Sequence, residues 1–137
     1  MVLMIVFAAC RKTDHAVPGD QAVNKKVEFH VHASSNYTAP AYQYITADVR
    51  MAVYKINTAT GQSQLLWDTT ITAAKLTDLP RLPQKFVFEK SYPVLESKEK
   101  LQANYKITYN TTEGVNQQNT TVELFTGDNF AFLDVDV

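Results

Sequence analysis

His30 and His32 stand two positions apart, with Glu28 two positions before them, in a stretch where apolar and polar residues alternate. On an extended strand residues i and i+2 leave the same face, which is the geometry an H-x-H pair needs to ligate one metal ion. A bound metal needs a third or fourth ligand, and the sequence does not say which neighbouring segment supplies it. Two solvated strand-face histidines are therefore the simpler expectation, and a metal-dependent enzyme using His30 and His32 is the remote one. Asp134 and Asp136 also share a face, near the end of the sequence, where such charges serve to blunt a sheet edge rather than to catalyse. Tyr37, Tyr42 and Tyr44 surround Pro40 in SSNYTAPAYQY, and rings with hydroxyl tips suit stacking on a sugar or packing on a protein partner. The alternative is that they cover one open end of the fold. Phe130 and Phe132 point away from Leu133 and Val135, so both faces of that segment carry apolar residues. They form a docking edge if the sheet is open there and core if the segment is central.

The composition excludes several other chemistries. With 13 Lys+Arg against 14 Asp+Glu the net charge is −1, and no cationic stripe is present to displace counterions from a phosphate backbone, so no nucleic-acid partner is expected. The single Cys rules out an internal disulfide and a thiolate zinc site. Four glycines form no phosphate-binding loop, and no serine sits in a G-x-S-x-G elbow. No cofactor and no enzymatic activity are expected.

The segments that must position these residues read as strands. From Lys25 to Ala33, Val27, Phe29, Val31 and Ala33 alternate with Glu28, His30 and His32. Val49, Met51 and Val53 alternate likewise in 48–57, which ends in the turn Asn57-Thr-Ala-Thr-Gly61. The return, 64–73, puts Leu65, Trp67, Thr69 and Ile71 on one face, so the two segments form a hairpin with Trp67 as a core anchor. Pro80 and Pro83 lack amide donors and mark a crossing between sheets. Residues 84–91 are extended until Tyr92-Pro93 ends the run, and 94–103 has room for a helical turn. Leu101, Ala103, Tyr105, Ile107 and Tyr109 form the most regular strand, followed by a polar loop over 111–119 and a last strand pair, 120–126 with 130–137. About seven strands and no sustained helical periodicity predict an all-β fold, a single antiparallel β-sandwich.

Ahead of these strands, Met1-Val-Leu-Met-Ile-Val-Phe7-Ala8-Ala9-Cys10 is an apolar run ending in two small residues and the only Cys. It resembles the end of a bacterial lipoprotein signal, with Phe7-Ala8-Ala9-Cys10 as the lipobox. The resemblance implies that residues 1–9 are removed as a signal peptide and that Cys10 becomes an acylated N-terminus. Each buried CH2 contributes about 0.8 kcal/mol, so two or three acyl chains hold a protein to a membrane where one does not. Residues 10–24 then form the acylated Cys and a flexible tether, and 25–137 the sandwich. The part from Arg11 to Asn24, at about 3.3 Å per residue, reaches at most about 46 Å.

Over Lys25 to Thr126 the order of motifs resembles the YscW/YbaY-type small lipoproteins. These motifs are the Val49, Met51 and Val53 strand, Leu65-Leu66, Leu82-Pro83 leading to Phe86 and Phe88, and Tyr105-Lys106-Ile107 before Gly114. The resemblance implies an immunoglobulin-like or transthyretin-like sandwich on an acylated Cys, no catalytic residues, and for some members a pilot role for an outer-membrane secretin. The chain departs from the family pattern in its Tyr-rich insertion, Ala33 to Thr46. The expected protein is thus a lipid-anchored binding or assembly-assisting module of the bacterial cell envelope. Its partner is an envelope protein met by Phe130, Phe132 and the tyrosines. A glycan held by Tyr37, Tyr42 and Tyr44 is the alternative.

Overall fold

A computed structural model of the chain describes residues 21–137; Cys10, the signal-like segment 1–9 and the tether up to residue 20 lie outside the described residues. Seven strands follow one another: β1 Ala22–His32, β2 Thr46–Asn57, β3 Ser63–Lys75, β4 Phe86–Leu95, β5 Glu99–Thr111, β6 Gly114–Leu124 and β7 Phe130–Asp136. They form a three-stranded sheet, β4-β1-β7, and a four-stranded sheet, β3-β2-β5-β6. The all-β sandwich expected from the alternation is therefore the observed fold. One pairing departs from the antiparallel scheme, since β7 lies parallel to β1. The cause is connectivity: the segment after β6 crosses to the other sheet, so 120–126 and 130–137 do not pair as a hairpin.

The inward rows of both sheets make one core. Val27, Phe29 and Val31 of β1 meet Val49, Met51 and Val53 of β2 and Leu101, Ala103 and Ile107 of β5, with Leu133 and Val135 of β7 beside them, all buried. Trp67 is the expected anchor, its ring 5.7 Å from that of Phe29 and 6.3 Å from that of Phe88. Burying side chains of this size contributes about 1.5–3 kcal/mol each relative to exposure.

Several boundaries differ from the sequence reading. β1 begins at Ala22, so 22–24 belong to the sandwich and not to the tether. Leu65 is 47% exposed, because a bulge between Val53/Trp67 and Tyr54/Leu65 adds a residue to β3 and reverses the phase of alternation. β4 runs through Pro93 to Leu95, which its place at the sheet edge permits, since one side of an edge strand needs no amide donor. Residues 96–98 make a tight turn between the sheets rather than a helical one. Most of the predicted polar loop is strand: after the turn at Thr112-Glu113, β6 pairs without interruption from Gly114 to Leu124. As an edge strand with both faces near water over its first half, it shows no apolar alternation there.

Candidate functional site

The parallel pairing of β1 and β7 builds the outer face of the three-stranded sheet. It sets Lys26 beside Phe130, Glu28 beside Phe132, His30 beside Asp134 and His32 beside Asp136. On the other side of β1, Glu28 pairs with Glu89 and His30 with Val87. The histidines and the aspartates, which the sequence offers as two separate motifs, thus form adjacent rows. Two short X-x-X motifs of opposite character, both facing outward, are the signal in the sequence for that pairing.

Each imidazole is already engaged. Lys85 Nζ lies 3.1 Å from His30 Nδ1, and an ammonium can only donate, so the proton of a neutral His30 sits on Nε2, 2.9 Å from Glu28 Oε2. The His30 ring also stacks on Phe132, with centroids 5.4 Å apart. His32 is 4% exposed; its Nε2 lies 2.8 Å from Asp134 Oδ1 and its Nδ1 3.6 Å from Asp136 Oδ1. Among the described residues no three His, Cys, Asp or Glu side chains converge as a metal site. Glu28 also accepts from Lys26 at 2.8 Å, and that bond, with the one from His30, holds its carboxyl down to about 2.

Phe130 and Phe132 are 50% and 57% exposed, on the open side of β7, while Leu133 and Val135 fill the core. β7 is an edge strand and its aromatic row faces solvent, so Phe130 and Phe132 are not core. Lys26 Nζ lies 5.5 Å from the Phe130 ring centre, so the aromatic row is bordered by cations and anions on β1.

The tyrosines separate into two roles. Tyr37 packs on the core, has φ +48°, and donates its hydroxyl proton to the Val137 carbonyl at 2.7 Å; Ser34 Oγ lies 2.6 Å from the Tyr37 hydroxyl and 3.2 Å from the Val137 carbonyl. Its ring meets that of Tyr42 edge-on at 5.0 Å. Tyr37 therefore fastens the insertion to the end of β7 and is not a free binding group. Tyr44, 75% exposed, borders a groove of about 440 Å³ with Pro40, Ala41, Ile45 and the Thr111–Glu113 turn. A second, more polar groove of about 850 Å³ opens at His32, between Ser34–Asn36, Pro80–Leu82, Gln84 and Asp136.

Lys25 escaped the sequence reading. It is fully buried at the opposite end of β1, where Nζ pairs with Glu96 at 2.7 Å and donates to the carbonyls of Asp128, at 2.8 Å, and Phe125. Its position in phase with Val27, Phe29 and Val31 is the signal that places it inward. No family model, curated protein or solved structure matches the chain.

Proposed function

We propose that the protein is a non-catalytic binding module of a bacterial cell envelope, held to a membrane through acylated Cys10, which captures an envelope protein on the outer face of β4-β1-β7. The observation that carries this reading is the half-exposed pair Phe130 and Phe132 on a regular strand beside the charged row of β1. Aromatic anchors ringed by polar groups are the usual energetic centre of a protein interface, and strands present them with little ordering cost. The imidazoles are committed to carboxylates, which favours binding over metal chemistry.

Crosslinking in the intact envelope, followed by identification of the captured protein, tests this reading. Phe130→Ser with Phe132→Ser should reduce capture of a stoichiometric envelope protein at least tenfold, the equivalent of about 1.4 kcal/mol, with an unchanged melting temperature. Cys10→Ala should release the protein from the membrane fraction. Capture that ignores both Ser substitutions removes the aromatic face from the reading.

Tyr44 and its groove favour a second reading, a glycan-binding lipoprotein. An exposed ring beside a pocket lined by Thr111, Thr112 and Glu113 offers a stacking platform with hydrogen-bonding groups next to it. Retention on envelope polysaccharide that Tyr44→Ala abolishes supports it, and no retention of the unaltered chain excludes it.

A further inference from the structure

The sandwich has four edge strands, β4 and β7 on one sheet and β3 and β6 on the other. An unguarded edge offers a row of free amides and carbonyls to any passing strand, and folded proteins normally block it with charge, Pro, bulges or brevity. β4 carries Glu89, Lys90 and Pro93. β7 is seven residues long and bears Asp134 and Asp136. β3 is interrupted by two register shifts, and at one of them Ala73, at φ +50°, donates its N–H to Asp48 Oδ1. β6 has one charge, Glu123, at its far end, and none of these devices before it. From Val115 to Val122 it contains no charge and no Pro, and its ladder with β5 is unbroken.

We propose that β6 is a self-association edge, along which two copies of this chain pair antiparallel about a two-fold axis at Thr120. The pairing fuses their four-stranded sheets into one continuous sheet. The occupant is a second copy because the edge is complementary to itself. Val122 and Leu124 turn toward the core, so Val115, Gln117, Asn119, Thr121 and Glu123 form the outer row. Val115 and Phe125, 64% and 55% exposed, stand at the two ends of that row.

An axis at Thr120 sets Val115 of one copy opposite Phe125 of the other, and does so twice, with Asn119 opposite Thr121 and Gln117 opposite Glu123 between them. An axis at Asn119 instead sets Val115 against Glu123 and Phe125 against Glu113. One at Gln118 sets Glu113 against Glu123, a like-charge pair that destabilises a sheet. The Thr120 register is the one that joins both apolar ends without opposing charges. Glu123 keeps its own partner, Lys100 Nζ, at 2.8 Å. A net charge of −1 sets little general repulsion between copies.

Sedimentation velocity on the full chain over a concentration series tests the proposal. The expected result is a monomer–dimer equilibrium that Asn119→Lys with Thr121→Lys abolishes, because lysines then oppose lysines on both sides of the axis. Mixing that variant with Asn119→Glu plus Thr121→Glu should restore a dimer containing one copy of each. Val115→Ser with Phe125→Ser should weaken association at least tenfold without altering the far-ultraviolet spectrum, an independent check if the charged variants fold poorly. A chain that stays monomeric up to roughly 1 mM, or a dimer indifferent to both sets of substitutions, overturns the proposal.

Discussion

Lys25 and His32 lie near opposite ends of β1, both withdrawn from solvent, yet the two ends of the sandwich are built differently around them. At the Lys25 end the ammonium meets a carboxylate and two backbone carbonyls, and Glu96 in turn accepts the Gly127 N–H at 2.9 Å. One cation thereby ties the 96–98 turn to the turn before β7, and that end is closed. At the His32 end both carboxylates remain more than half exposed, and a groove of about 850 Å³ opens beside the ring. A buried charge with internal partners holds a closure together. A buried ring with hydrated partners leaves room for something else to bind.

This contrast makes unequal demands on substitution. Lys25→Ala should be the most damaging, at about 3–5 kcal/mol in urea denaturation, because it takes the cation from Glu96 and a donor from the Phe125 and Asp128 carbonyls. A loss below about 1 kcal/mol would show that water replaces the ammonium and that the closure is not ionic. His32→Ala should cost less, about 1–2 kcal/mol, since Asp134 and Asp136 return to solvent when the ring is lost. Equal costs at the two positions would erase the distinction between the ends.

The smallest effect is expected between the ends, at Glu28. Its carboxyl lies at about 2 in the folded chain against an ordinary value of 4.5. The stabilisation it brings is therefore complete above about pH 4.5 and is lost as pH falls from there towards 2. Glu96 shifts in the same direction through Lys25. Glu28→Gln should flatten part of the stability–pH curve in that acid window by lowering its neutral plateau while leaving its acid end unchanged, as read by denaturant titration at successive pH values. A variant curve parallel to the parent's through the window would mean that Glu28 is equally solvated in both states.

Much of this architecture is legible in the sequence wherever one face of a strand is buried. Val27, Phe29 and Val31 announce β1, and Leu101, Ala103, Tyr105 and Ile107 announce β5, because burial of alternate residues leaves a two-residue period. The polar β6 is illegible by the same rule, since a strand exposed on both faces over its first half has no period to show. Alternation also assigns faces and not neighbours, which hides the parallel pairing of β7 with β1 and with it the meeting of His32 with Asp134 and Asp136. Within the candidate site, the outward aim of Phe130 and Phe132 follows from their phase with Leu133 and Val135. The different role of Tyr37 does not, because its hydroxyl meets the Val137 carbonyl across a hundred residues of chain.

The bulges of β3 have a consequence for the size of any assembly. Once two β6 edges are joined, the fused sheet ends on both sides in a β3 strand whose spacing is broken at two places, near Asp48 and at Leu66. No regular template is left for a third copy, so association closes as a symmetric pair, and a fibre has no growing tip from which to propagate.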